Sequence, residues 1–408
     1  MKSKLWTKDF TIITLGSVVS MLGNTAAGVG MSLLVLDYTG STLYYALFLF
    51  AYTAPSVIMP LLAGPYLDKF SRKKVIYTLD FCSAVIYLAL AALLRFGAFN
   101  YPILLAGCLL VGSIESVYQV AYDSLYPMLI GEGNFTKAYA VSSTLETLTV
   151  VMWPVSIAIY KAVGIFPLFA FNTVSFLVAA IFETKIGVAE NYTAGREAAV
   201  TLRSYLSSLK EGISYLKAEK GLLAVALYFT VSSIAGSASN VVTLPYFKNT
   251  YQNGEYIYMW VWGMSILGRT IGGSLYYKFK YPRDRKFTIA LTVYLALNLL
   301  EGGYLFFSRP VMMACCFLIG LGGVTSYNIR ISATQSYVPD ERKGRFNGIF
   351  QMMTMLGALA GQLAAGAMST FLPERTVVVF FMSLCAVAAL LLIGGNKTSV
   401  RAIYNRDV

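Results

Sequence analysis

Apolar residues fall in blocks of about 20, the length a helix needs to cross a bilayer core. Short connections rich in Gly, Pro or charge separate them, such as Asp37-Tyr38-Thr39-Gly40 and Phe99-Asn100-Tyr101-Pro102. Twelve blocks are predicted as helical spans: 10–36, 42–63, 75–95, 101–122, 138–160, 163–183, 221–246, 256–279, 287–307, 310–331, 346–370 and 374–395. One connection, 184–220, is long, and it divides the spans six and six. Within it Leu202, Tyr205, Leu206, Leu209, Ile213 and Leu216 recur at helical spacing, with Arg203, Lys210 and Lys217 among the polar positions. That pattern predicts an amphipathic helix along the inner membrane surface, read either as a lipid-sensing element or as a plain tether. The predicted organisation is all-α and polytopic: a six-helix bundle over 1–183, the linker 184–220, a second six-helix bundle over 221–395, and a tail over 396–408.

Composition agrees with a membrane protein. With 57% apolar and 13% charged residues, the chain lacks the polar surface of an ordinary soluble domain. The net charge of +12 would point to nucleic acid in a soluble protein. Here the cations sit in the connections instead. With the N-terminus assigned to the cytoplasm, 25 Lys and Arg fall on the inner face and five on the outer, while Arg269 and Arg330 lie within spans. The positive-inside rule then places both termini in the cytoplasm. The first apolar block is too long for a cleavable signal peptide and lacks a clear cleavage site.

Several chemistries are not expected. The chain has no histidine, and its five cysteines all lie in apolar blocks without CxxC spacing, so neither a metal site nor a disulfide framework is predicted. No G-x-x-x-x-G-K-[ST] stretch is present to cradle ATP, and no nucleophile with its base is visible. An enzyme, a cofactor and a nucleic-acid partner are all outside the expectation.

Two features carry function. The polar stretch Gly64-Pro65-Tyr66-Leu67-Asp68-Lys69-Phe70-Ser71-Arg72-Lys73-Lys74 packs an acid and four cations between two spans. It echoes in the second half as Gly273-Ser274-Leu275-Tyr276-Tyr277-Lys278-Phe279, and Tyr126-Pro127 echoes as Tyr337-Val338-Pro339. Six spans repeated in parallel make two pseudo-symmetric bundles, as in transporters that rock one half against the other. The basic run alone would also serve to anchor a loop at anionic headgroups.

The second feature is the set of ionisable residues within spans, where isolated charge is costly and function is the default reading. Glu115 lies mid-depth in span four and Glu146 in the inner half of span five, and these are the proton-coupling candidates. Static helix-packing contacts are the alternative reading for both. Arg269 lies near the middle of span eight and needs an acid or an anionic substrate group. Asp80 in span three, Glu301 in the outer half of span nine and Arg330 at the inner end of span ten rank below them.

On these motifs the chain resembles the major facilitator superfamily. Gly64, Asp68, Lys69, Arg72 and Lys73 match that family's loop between spans two and three, with Ser71 in place of a second Gly. Val338-Pro339-Asp340-Glu341-Arg342-Lys343-Gly344-Arg345 resembles a segment of its bacterial macrolide-efflux and enterobactin-export members. The resemblance implies the major facilitator fold. It also implies a conformational gate in which Asp68 meets the start of span eleven near Arg345-Phe346-Asn347, and Arg72 pairs with Asp123 when the inner side is closed. Substrate-cavity candidates on the spans that line the cavity in this family are Asn24, Tyr118, Gln119, Asn240, Arg269 and Asn328. The implied function is secondary active transport by alternating access: proton-coupled export of a small amphipathic molecule by a monomer in the bacterial cytoplasmic membrane. In span five, Thr149 to Ala158 keeps Pro154 but lacks the glycines usual in the family's drug–proton antiporters. A uniporter, an uptake symporter and a non-transporting sensor therefore stay open.

Overall fold

The computed structural model describes residues 5–67, 70–97, 100–131, 134–188, 190, 202–278 and 282–406. Eight helices build the first part of the chain: α1 (Lys8–Thr39), α2 (Thr42–Thr53), α3 (Pro55–Leu67), α4 (Arg72–Arg95), α5 (Tyr101–Leu125), α6 (Phe135–Leu148), α7 (Met152–Val163) and α8 (Phe166–Glu183). After α9 (Leu202–Ala218) come α10 (Lys220–Thr250), α11 (Gly254–Lys278), α12 (Lys286–Gly303), α13 (Arg309–Tyr337), α14 (Asp340–Met368), α15 (Glu374–Ala388) and α16 (Lys397–Tyr404).

Two predicted spans are broken helices. Span two is α2 and α3, interrupted just before Pro55, whose ring and missing N–H end the upstream hydrogen-bond ladder. Span five is α6 and α7, separated by a 3-10 turn at Thr149–Val151 that comes just before Pro154. Among the described residues, ten helical stretches are long and apolar enough to cross a membrane. The two remaining predicted spans are 138–160 and 256–279. The first is split into helices of 14 and 12 residues, and Arg269 with several Tyr and Trp lowers the hydropathy of the second.

The chain forms two compact units, Met1–Gly40 with Phe48–Leu202, and Ser41–Leu47 with Arg203–Val408. In the first, α1 packs on α8 and α7, and α4 on α8 and α5. A Cβ at Gly112 of α5 would collide with the Tyr52 carbonyl oxygen, so glycine sets how closely α2 and α5 approach. In the second unit α10 packs on α14 and α15, and α11 on α13. There Gly320 of α13 lies against the Ser265 carbonyl of α11 in the same manner. Both halves thus use a glycine on their fourth span to seat the second.

The start of α4 is closed by its own unit. Ser71 Oγ donates to Glu190 Oε1 (2.8 Å), and the Arg72 and Lys73 amides donate to the same carboxylate at 2.7 and 3.2 Å. A carboxylate at a helix N-terminus satisfies otherwise orphaned N–H groups and complements the helix dipole. Lys73 Nζ donates to the Ile186 and Val188 carbonyls, and the Gly187 amide donates to Asp9 Oδ1.

A helix, α9, forms over part of the segment expected to be amphipathic, and its C-terminal half docks on α14. Glu211 pairs with Arg345 at 2.8 Å, Arg342 stacks over the Tyr215 ring at 4.8 Å, and Gly212 lies against Ile349. The tail is also ordered rather than trailing. Val400, Ile403 and Tyr404 of α16 are buried, Tyr404 meets the Tyr294 hydroxyl at 2.9 Å, and Arg283 Nε donates to the Asn405 carbonyl.

Candidate functional site

A polar stripe runs down α1 at helical spacing, with Thr14, Ser17, Met21 and Asn24 turned to one side. Glu115, Tyr118, Gln119 and Tyr122 repeat the pattern on α5. Between them, with Asp80 and Ser83 of α4, Ser142 of α6 and Phe176 of α8, lies a cavity of about 290 Å³ inside the first unit. Its volume is near the lower end of small-ligand sites.

Glu115 anchors a hydrogen-bond chain across four helices. Asn24 Nδ2 donates to Glu115 Oε1 at 2.7 Å, and the Tyr52 hydroxyl donates to Oε2. Asn172 Nδ2 donates to Asn24 Oδ1 (3.2 Å), and Ser175 Oγ donates to Asn172 Oδ1 (3.1 Å). Gly23 makes room for this chain, because a Cβ there would strike Ser175 Oγ and Asn172 Oδ1. Two donors on one carboxyl compensate its removal from water, so an acid stands at the cavity wall inside an apolar bundle. One side of the site is aromatic. Tyr118 stacks on Tyr122 (6.0 Å) and Tyr122 on Tyr126 (5.2 Å), a ladder along α5 at every fourth residue.

Of the sequence-predicted residues, Asn24, Glu115, Tyr118 and Gln119 come together at this cavity. Glu146 lies in α6, but its side chain is outside the described residues. Asn240, Arg269 and Asn328 belong to the second unit. Arg269 and Asn240 are exposed there, and Glu301 lies within electrostatic reach of Arg269 and beside the Ser239 hydroxyl.

The gate expectation is only partly described. Asp68 and Lys69 lie outside the described residues, and Gly64 falls within α3. Arg72 and Asp123 are not brought together. The Arg72 guanidinium meets Met128 Sδ at 3.2 Å, and Asp123 accepts from Gln119 Nε2 at 2.7 Å. Lys73 is bound to backbone carbonyls as given above.

Sequence reasoning missed Tyr52, Asn172, Glu183 and Glu190. The tyrosine ladder was legible as Tyr118, Tyr122 and Tyr126 at four-residue spacing, but Glu190 carried no local signal in its polar segment. Among the described residues, no group of three or more His, Cys, Asp or Glu could hold a metal ion.

Comparison with known proteins agrees with this architecture. The family model described as Major Facilitator Superfamily matches residues 13–361. Macrolide efflux protein A of Streptococcus pyogenes is 22% identical over 397 residues, covering 93% of this chain and 96% of that protein. Its namesake from Enterococcus faecalis is 22% identical over 331 residues, covering 79% and 98%. The uncharacterized MFS-type transporter YkuC of Bacillus subtilis (strain 168) is 22% identical over 304 residues, covering 71% and 69%. Among solved structures, a bacterial homologue of the iron transporter ferroportin in its inward-facing state aligns with TM-score 0.70 at 14% identity, over 98% of both chains. The peptide transporter POT aligns with TM-score 0.72 at 11% identity, over 97% of this chain and 96% of that one. The chain belongs to the Major Facilitator Superfamily, a family of multi-pass membrane transporters rather than enzymes.

Proposed function

We propose that this transporter is a proton-coupled exporter of a small amphipathic molecule, working by alternating access. The observation that carries the reading is Glu115 at the wall of an aromatic-sided cavity in a membrane-spanning bundle, held by Asn24 and Tyr52. An acid kept in such a place, at the cost of desolvation, is suited to take up a proton or meet a cationic group on a solute. The aromatic ladder offers the apolar complement such a solute needs. Relatives named for macrolide efflux favour a bulky, partly apolar substrate and the outward direction. Glu146 is the second candidate for the proton.

The excess of Lys and Arg on one face supports a bacterial cytoplasmic membrane with both termini inside. The loop of Gly64, Asp68, Lys69, Arg72 and Lys73, with Asp123, is the proposed gate, and one chain is the proposed working unit. Purified protein in proteoliposomes, loaded with a radiolabelled macrolide, tests the reading. Flux that accelerates when a pH gradient is imposed, and slows with Glu115→Gln, is expected. Macrolide flux indifferent to both would exclude proton coupling through this residue.

A further inference from the structure

A second pair of acids lies beyond the cavity, toward the end of the bundle that carries the start of α1, the start of α4 and the end of α8. Asp80 of α4 is 1% exposed and Glu183, the last residue of α8, is 0% exposed. Helix α4 packs on α8, and the two carboxyls lie within electrostatic reach of each other. A carboxyl–carboxyl hydrogen bond has no donor unless a proton is present between the two groups. Ionised together and buried, they would repel across a short distance with no water to screen them.

Among the described residues, no cation pairs with either acid. Neither acid has a Lys or Arg within 4.0 Å among the described residues; the only titratable side chain seen against the pair from α5 is Tyr118, whose hydroxyl donates to Glu183 Oε1 at 3.4 Å. From α1 the pair is faced by backbone and hydroxyls, and a Cβ at Gly16 would sit 3.1 Å from Glu183 Oε1. At this end Asp9 accepts from the Gly187 amide, Lys73 donates to the Ile186 and Val188 carbonyls, Glu190 caps the start of α4, Arg72 meets Met128 Sδ, and Lys185 lies over the Phe182 ring.

A neighbouring hydroxyl is also unsatisfied. Among the described residues, Thr14 Oγ1, on a residue only 4% exposed, has no hydrogen-bond partner, and the same holds for Asp80 Oδ2 and Glu183 Oε2. Thr14, Ser17 and Asp80 line the same cavity as Glu115, and Tyr118 touches both that cavity and Glu183. An unpartnered buried hydroxyl opening beside an acid pair is a place for an exchangeable species, because leaving such groups unmade is costly.

We propose that Asp80 and Glu183 share one exchangeable proton and form the station through which the coupling proton passes between the Glu115 cavity and the N-terminal end of the bundle. A proton arrives on the ionised member of the pair and one leaves from the other, so the pair alternates between two bound protons and one. The proposal rests on the transport reading above for the proton's purpose. Its test does not need transport.

The test is infrared difference spectroscopy of the full-length protein in lipid across a pH titration, with the carboxylic acid C=O band as readout. Wild type is expected to show such a band that weakens as pH rises. Asp80→Asn and Glu183→Gln should each remove or displace it, Asp80→Glu should restore it, and Glu115→Gln should remove only the separate contribution of Glu115 and leave that of the pair in place. Thr14→Val, a near-isosteric change, should shift the pH at which the band weakens while the protein stays folded.

A wild-type spectrum without a titrating acid band overturns the proposal, as does a band unchanged in both Asp80→Asn and Glu183→Gln. A band that responds to sodium chloride against choline chloride at fixed pH would show the site to hold a sodium ion, and would overturn the proton assignment. Macrolide flux that fails while the band titrates as described refutes the exporter reading and leaves the proton pair standing.

Discussion

The two units share a scaffold and differ in what they bury. In the first, Gly112 seats α5 against the Tyr52 carbonyl, and in the second Gly320 seats α13 against the Ser265 carbonyl. Around that common contact the first unit buries a polar chain through Glu115, Asn24 and Asn172, together with the acids Asp80 and Glu183. The second unit places its inner cation among rings: Arg330 lies 5.1 Å from Phe229, 5.3 Å from Tyr327 and 4.7 Å from Phe350. A cation over aromatic faces is stabilised without a partner acid. Duplicated halves can therefore keep their packing while they bury different polar groups.

The largest effect should come from the shared contact. Gly112→Val and Gly320→Val each force a side chain into a neighbouring backbone carbonyl, with a cost at or above the roughly 1–3 kcal/mol of ordinary overpacking. Both variants should lose folded protein in size-exclusion chromatography, and tolerance of either would break the claim that the two halves share this constraint.

Next come the buried groups that differ. Glu115→Leu orphans the Asn24 amide and the Tyr52 hydroxyl, at about 1–3 kcal/mol for each unmade bond, and should lower the thermal midpoint visibly. Arg330→Leu removes three ring contacts and should cost about 1–2 kcal/mol, while flux per folded molecule changes little. Flux that collapses with Arg330→Leu would move the working chemistry into the second unit.

Asn172→Ala removes one link of the chain to Glu115 and should cost about 1 kcal/mol in thermal stability. The smallest effect belongs to the docking of α9. Glu211 and Arg345 are 54% and 49% exposed, so Glu211→Gln should shift stability by less than about 1 kcal/mol, and salt should erase the difference.

Much of the fold was legible because the bilayer imposes length and hydropathy on each span. The helix at 202–218 follows from local sequence, and the breaks in spans two and five, which the sequence reading ran straight through, lie beside Pro55 and Pro154. The site was legible only in part. Glu115, Asn24, Tyr118 and Gln119 are isolated polar residues in apolar blocks, and each reads as a candidate without knowledge of its neighbours. Their partners do not. Tyr52 is one of 29 tyrosines, and only the close approach at Gly112 brings its hydroxyl to Glu115. Glu183 sits at the last position of its span, where a sequence reading takes an acid for the start of a loop, yet the packing of α8 on α1 and α4 buries it completely. Arg269 was expected to need an acid or a substrate group, and it lies exposed on α11 within electrostatic reach of Glu301.

The most direct test compares gradient-driven macrolide flux for the wild type, Glu115→Gln and Arg330→Leu in the same proteoliposome preparation, normalised to folded protein. Loss of the pH-driven component in Glu115→Gln, with near wild-type flux in Arg330→Leu, is the expected result. Full pH-driven flux in Glu115→Gln alongside loss in Arg330→Leu would contradict the assignment of proton coupling to the first unit.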